Sequence, residues 1–310
     1  MALDHSAKGV FAISATPFLP DGALDLDSLD QLTDFYLACG CTGLTILGIL
    51  GEAHKLEPAE SLAVVRRVMA RAGSAQVIVG VSAPGFATMR SLTRAAMEMG
   101  AAGVMIAPPS HLRTDDQIAG YYVQAARAIG PDVPICVQDH PLVTGVQMSV
   151  PVVCRIFAEV PSCVMLKHED WPGLDKLATL RKAERDGSLR PISILCGNGG
   201  LFLDFEMDRG ADGAMTGYAF PDMLADLVRL SAAGARDAAH DLFDAHLPLL
   251  RYEQQPAVGL SVRKYILRRR GAIAHDGQRA PGATLTAATR EDVDYLLARL
   301  SRLDPRAGLG

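Results

Sequence analysis

The 310-residue chain has no apolar run approaching the length of a membrane span, and its first residues show no basic segment followed by an apolar one. Neither a spanning helix nor a secretory leader is expected. An excess of one charge is also lacking: 30 Lys and Arg against 35 Asp and Glu leave a formal charge of -5. The one basic cluster, Arg268-Arg269-Arg270, closes a helical pattern, where the helix dipole accounts for it. No nucleic-acid or membrane partner is therefore expected. Only six cysteines occur, and Cys39-Gly40-Cys41 has the wrong spacing for a C-x-x-C pair. Cys136, Cys163 and Cys196 fall in apolar strand-like runs, where cysteine behaves as a small hydrophobe. The expectation is six reduced, structural cysteines in a cytoplasmic protein.

Several catalytic signatures are missing too. There is no G-x-S-x-G. Gly197-Asn198-Gly199-Gly200 follows a strand-like run and opens a helical one, but its sixth position is Phe202, where a dinucleotide fingerprint needs Gly or Ala. His54, His111, His140 and His168 lie near Glu52, Asp139 and Glu169 without H-x-E-H spacing. Neither a cofactor nor a metal is expected.

What is present is alternation. Eight apolar runs, 10–17, 43–48, 76–82, 103–108, 133–138, 163–168, 193–197 and 213–217, are separated by amphipathic helical patterns such as 26–39 and 58–72. Near-continuous apolar strands imply a parallel sheet covered on both faces. Gly40-Cys41-Thr42-Gly43, Gly100-Ala101-Ala102-Gly103 and Gly210-Ala211-Asp212-Gly213 repeat one helix-to-strand joint, the first glycine suiting a left-handed helix cap. Eight such units predict an α/β fold, a (β/α)8 TIM barrel over residues 1–233. Beyond it, 234–310 reads as a helical extension with patterns at 235–250, 257–270 and 290–300 around a Gly/Pro-rich stretch at 271–284.

Barrel chemistry sits at the C-terminal ends of the strands. There the sixth run ends in Leu166-Lys167-His168-Glu169. A lysine closing an apolar strand either reaches solvent or a carboxylate such as Glu169 or Asp170, or serves as a desolvated amine nucleophile toward carbonyls. The second run ends in Gly48-Ile49-Leu50-Gly51-Glu52, either a plain turn or one whose N–H groups hold a carboxylate. The fifth ends in Gln138-Asp139-His140-Pro141, the seventh in Gly197-Asn198 and the eighth in Thr216-Gly217.

The eight-unit layout, the Gly-x-x-Gly-Glu turn and a lysine ending the sixth strand resemble the dihydrodipicolinate synthase / N-acetylneuraminate lyase family along essentially the whole chain. The resemblance implies that Lys167 forms a Schiff base with a 2-oxo acid, that the Ile49 and Leu50 amides hold its carboxylate, and that the protein is a homo-oligomer, a homotetramer in the family pattern. The departures narrow the activity. Ile49-Leu50 replaces two threonines, Gln138 a proton-carrying tyrosine, Val143 a carboxylate-binding arginine, and Pro109-Ser110 a pair of tyrosines. Glutamine cannot titrate. Val137-Gln138-Asp139-x-Pro141, with Gly213-Ala214-Met215-Thr216-Gly217 and Phe220-Pro221-Asp222, is similar to the 2-keto-3-deoxy-L-arabinonate dehydratase branch.

The expected activity is a lyase, a dehydratase or aldolase of a 2-keto-3-deoxy sugar acid. Lys167 is its catalytic residue; Gln138, Asn198 and Thr216 contact substrate hydroxyls beside the Ile49 and Leu50 amides. Glu52, His140, His168 and Glu169 stand as candidate proton carriers. The alternatives are 4-hydroxy-tetrahydrodipicolinate synthase and a non-catalytic keto-acid-binding protein.

Overall fold

A computed structural model describes residues 2–171 and 173–309. Eight parallel strands close into a barrel in sequence order: β1 Gly9–Ile13, β2 Gly43–Ile46, β3 Gln76–Gly80, β4 Gly103–Ile106, β5 Ile135–Asp139, β6 Cys163–His168, β7 Ser193–Cys196 and β8 Gly213–Ala214. Around them run α1 Leu26–Ala38, α2 Pro58–Arg71, α3 Phe86–Glu98, α4 Asp115–Ile129, the short α5 Pro141–Thr144, α6 Val150–Glu159, α7 Leu174–Arg185, α8 Leu203–Asp208 and α9 Pro221–Ala232. Then follow α10 Arg236–Glu253, α11 Gly259–Arg269 and α12 Ala287–Leu300. The (β/α)8 architecture with a C-terminal helical region is as the sequence predicts, and position 233 is the C-cap of α9.

Strand side chains alternate between two cores, as the pleat requires. Phe11, Ile13, Ile78, Met105, Cys136, Met165, Leu195 and Met215 fill the barrel, while Val10, Ala12, Leu44, Val77, Val137 and Leu166 face the helices. The repeated glycine joint has a double reason. Gly40, Gly100 and Gly210 hold φ between 85° and 95°. A Cβ on Gly43 would lie 2.5 Å from the Gln76 carbonyl oxygen of the next strand, and one on Gly103 2.8 Å from that of Pro134. Helix starts are set by local chemistry: Asp25 accepts from the Ser28 N–H at 2.9 Å, and Thr114 forms a reciprocal cap with Gln117.

Two boundaries differ from expectation. β8 is regular for only two residues, although Met215 N still donates to Cys196 O at 2.8 Å and Ile13 N to Thr216 O at 2.9 Å. Beyond it, Arg263 of α11 fills the space beside Gly217. After β7, a 3-10 turn at Asn198–Gly200 precedes the short α8, because Gly199 adopts φ 67°.

The C-terminal helices are tied to the mouth of the barrel. Lys264 of α11 donates to Glu52 Oε1 at 2.6 Å, and Lys55 and the Arg279 N–H hold Oε2 at 2.8 and 3.1 Å. Arg279 also grips Glu60 with both terminal nitrogens at 2.5 and 2.6 Å. The stretch 271–284, irregular as expected, is thus pinned to the turn after β2. Glu52 and Lys264 are both fully buried. Removing one member of such a pair strands the other charge. Lys264→Met is expected to lower unfolding free energy by about 3–5 kcal/mol, read from urea denaturation; a loss within ordinary surface-mutation scatter would contradict this.

On α8, burial raises the Glu206 carboxyl to about 8 despite the adjacent Cys196 thiol, and Oε2 has no partner among the described residues. An ordinary glutamate titrates near 4.5. Between these values the folded chain holds one more proton than the unfolded chain, so stability falls as pH rises through that window. Glu206→Gln is expected to melt above the wild type beyond pH 8 and close to it below pH 4.5, in thermal scans across pH.

Candidate active site

Register and alternation bring the site together. Gln138 of β5 pairs with Lys167 of β6, and Asp139 with His168. Side chains two apart share a face, so Gln138, His140, Lys167 and Glu169 turn inward while Asp139 and His168 turn outward. All but His140, which is half-buried, are nearly inaccessible.

The junction is one oxygen. Glu169 Oε2 lies 3.0 Å from Lys167 Nζ and accepts from Gln138 Nε2 at 2.8 Å, with His140 Nδ1 3.6 Å away. Burial pushes the Glu169 carboxyl upward. The Lys167 ammonium, His140 and the hydrogen bond from Gln138 outweigh it, and the net shift is below the ordinary glutamate value. Burial also lowers the His140 imidazole, leaving it neutral at neutral pH. Asn198 fixes the other side of Glu169, donating from Nδ2 to its carbonyl at 2.8 Å and from its backbone N–H to Oε1 at 3.3 Å. A Cβ on Gly197 would overlap the Glu169 side chain, so this position must stay glycine.

The remaining sequence candidates divide by place. In the turn after β2, Gly51 N donates to Gly48 O at 3.1 Å and Glu52 N to Ile49 O at 3.0 Å. The Ile49 and Leu50 N–H groups find no acceptor among the described residues. Ile49 is exposed, while Leu50 packs on the barrel's inner core. Thr216 follows the inward Met215; its methyl faces Gly200 and its buried hydroxyl has no partner among the described residues. Thr216 thus stands beside Gly200 of the β7 turn.

Of the four candidate proton carriers, Glu169 and His140 adjoin Lys167. Glu52 is consumed by Lys264, Lys55 and the Arg279 amide. His168 lies outside the barrel, its Nε2 3.0 Å from Gly173 O, and burial lowers it to about 4. Behind it, Lys176 bridges Asp139, Asp170 and the Met148 carbonyl, binding the ends of β5 and β6 together. Among the described residues no three His, Cys, Asp or Glu side chains converge as metal ligands. A buried amine next to a carboxylate can condense with a carbonyl compound and move a proton.

One charged group at the mouth carries no sequence signal. Arg263 of α11 is buried; its Nε donates to Glu253 Oε1 at 2.5 Å and its Nη1 has no acceptor among the described residues. It comes from nearly a hundred positions beyond Lys167 in the helical tail, where the helical pattern marks only a packing face.

Comparison with known proteins agrees with this geometry. Residues 6–300 match the model of the dihydrodipicolinate synthetase family. The L-2-keto-3-deoxyarabonate dehydratase of Azospirillum brasilense is 32% identical over 303 residues, 96% of this chain and 95% of that protein. The 4-hydroxy-tetrahydrodipicolinate synthase of Sorangium cellulosum is 33% identical over 305 residues, 94% of this chain and 96% of that protein. The crystal structure of a dihydrodipicolinate synthase from Rhodopseudomonas palustris superposes with a TM-score of 0.95 at 64% identity, covering 96% of this chain and 99% of that one. The protein with a carboxylate-bound lysine at the end of its sixth strand thus belongs to the dihydrodipicolinate synthetase family, and is a Schiff-base lyase.

Proposed function

We propose that the chain dehydrates a 2-keto-3-deoxy sugar acid through an imine on Lys167. The observation that carries this is the position of Glu169, whose Oε2 lies 3.0 Å from Lys167 Nζ. It supplies a titratable group where Gln138 cannot. Lys167 passes its ammonium proton to Glu169, Nζ attacks the C2 carbonyl, and Glu169 returns the proton to the oxygen, which leaves as water to give a protonated imine. Glu169 takes the C3 proton, producing an enamine. The enamine electrons then expel the C4 hydroxyl, which leaves as water with the proton from Glu169. Loss of a C5 proton and protonation at C3 turn the conjugated imine into a C5 enol, and ketonisation of that enol with hydrolysis of the imine frees the 2-oxo semialdehyde and the amine. The Ile49 and Leu50 amides hold the substrate carboxylate, and His140 and Gln138 face the hydroxyls. Asn198 serves by fixing Glu169, and Thr216 by packing beneath the β7 turn.

The named dehydratase relative supports this substrate class. Synthase activity on pyruvate and aspartate semialdehyde is the second reading, supported by the name of the 64% identical Rhodopseudomonas palustris protein. Against it stands Val143 on α5, an exposed apolar side chain with nothing to offer a second carboxylate. A binding protein without turnover would not need the Lys167–Glu169 pair.

Borohydride reduction in the presence of 2-keto-3-deoxy-L-arabonate, followed by mass spectrometry, is expected to place a covalent adduct on Lys167, and the untreated reaction to release a 2-oxo semialdehyde. Faster consumption of pyruvate with aspartate semialdehyde would replace this substrate by that of the synthase; no adduct at all would remove the imine mechanism. Glu169→Gln is expected to lower kcat roughly 10²–10⁴-fold while the adduct on Lys167 still forms. In the wild type, the acid limb of kcat/KM should lie below pH 4.5, since Glu169 is held below that ordinary value. An unchanged kcat in the variant would assign the proton transfer elsewhere.

A further inference from the structure

On the side of the mouth formed by β8 and the turn after β2, one cation is left without a use. Arg263 is 2% exposed, and its one side-chain bond among the described residues runs from Nε to Glu253. Glu253 is itself occupied on its other oxygen by the Ala219 N–H at 3.2 Å. The edge of the guanidinium carrying Nη1 therefore has donors but no acceptor among the described residues. A buried donor left unmade is costly, the more so on a charged group. Its place is also cleared for it. A Cβ on Gly217 would lie 2.5 Å from Arg263 Nη1 and 2.9 Å from Leu50 Cδ1. A glycine at this strand end thus makes a notch that the guanidinium and the Leu50 side chain share.

Leu50 belongs to the turn in which the Ile49 and Leu50 N–H groups find no acceptor among the described residues. In the closed strand order β2 and β8 flank β1, while β6 with Lys167 stands four strands from β2, across the barrel. A 2-oxo acid bound to Lys167 through C2 can turn its C1 carboxylate toward the side on which Leu50 and Arg263 stand. Leu50 is only partly buried, so its side chain can change rotamer beside the notch. The free edge of an arginine matches a carboxylate in two parallel hydrogen bonds.

We infer that Arg263 is the counter-charge for the carboxylate of the 2-oxo acid substrate, reaching it through the Gly217 notch beside the Ile49 and Leu50 amides. This rests on the imine mechanism proposed above. It makes the C-terminal helix α11 part of the substrate site and restricts the enzyme to ketones that carry an acid group at C1. The neutral turn amides, which offer dipoles only, are thereby joined by a full charge.

The test compares pyruvate with its uncharged methyl ester in borohydride trapping on Lys167, reading the half-saturating concentration by intact mass. Arg263→Gln is combined with Glu253→Gln so that no buried charge is stranded, and Glu253→Gln alone is the reference. Pyruvate is expected to need roughly tenfold to a hundredfold more for half-saturation in the double variant, the range of one charge-assisted hydrogen bond. The ester should keep its reference value. Arg263→Lys, which retains the pairing charge for Glu253 but loses the planar edge, should shift in the same direction and covers the case in which the double variant does not fold. Parallel shifts for pyruvate and ester, or no shift for either, would overturn the assignment while leaving the imine mechanism standing. No adduct in the wild type would overturn both.

Discussion

A single carboxylate oxygen governs the arrangement of three strand ends. Glu169 Oε2 is buried, and a buried charge must be met by donors or it will not stay charged. Lys167 meets it from the same strand, Gln138 from β5, and Asn198 secures the rest of the residue from the β7 turn. Gly197 is glycine because the Glu169 side chain fills the space where a Cβ would be. These residues answer one electrostatic demand. The same demand keeps the proposed nucleophile and proton carrier in contact, the ammonium that lowers the Glu169 carboxyl being the group that must lose a proton in that mechanism. Transfer between them needs no rearrangement of the backbone.

The replacement of a tyrosine by Gln138 takes a different meaning in this setting. Read by itself, glutamine marks the loss of a proton carrier. In the folded chain its amide donates to Glu169 and so stabilises the ionised form of the residue that can carry the proton. In the proposed mechanism the titratable group stands on the adjacent strand, and the glutamine opposite supports it.

Much of this was legible in the sequence, and the limit has a physical cause. Eight apolar runs and the repeated glycine joint suffice for the barrel because each strand is covered on both faces and each joint needs the same backbone geometry. Lys167 is conspicuous as a charge at the end of such a run. Alternation also separates Glu169 from His168, since only the residue two along shares the face of Lys167; adjacency in sequence had left the two on equal terms. Arg263 and the Lys264–Glu52 pair lie beyond such rules. Their partners are reached across the fold, 212 positions apart in the case of Lys264, and a helical pattern says which face is packed without saying what it meets. Thr216 is a different case: its strand stops being regular two residues earlier, so its facing could not be counted from the pattern.

The bonds from α11 and from Arg279 to the turn after β2 also bear on how the protein comes into being. During synthesis the eight strands leave the ribosome first, and N-terminal parts of a chain can begin to fold as they emerge. Glu52 has no lysine at Oε1 until residue 264 is out, and no amide from residue 279 until later still. A nascent barrel therefore exists with its β2 turn unbraced and its mouth open on the β8 side. The full brace on the turn after β2 arrives only with the last quarter of the chain, and a prematurely terminated product would carry Lys167 without it.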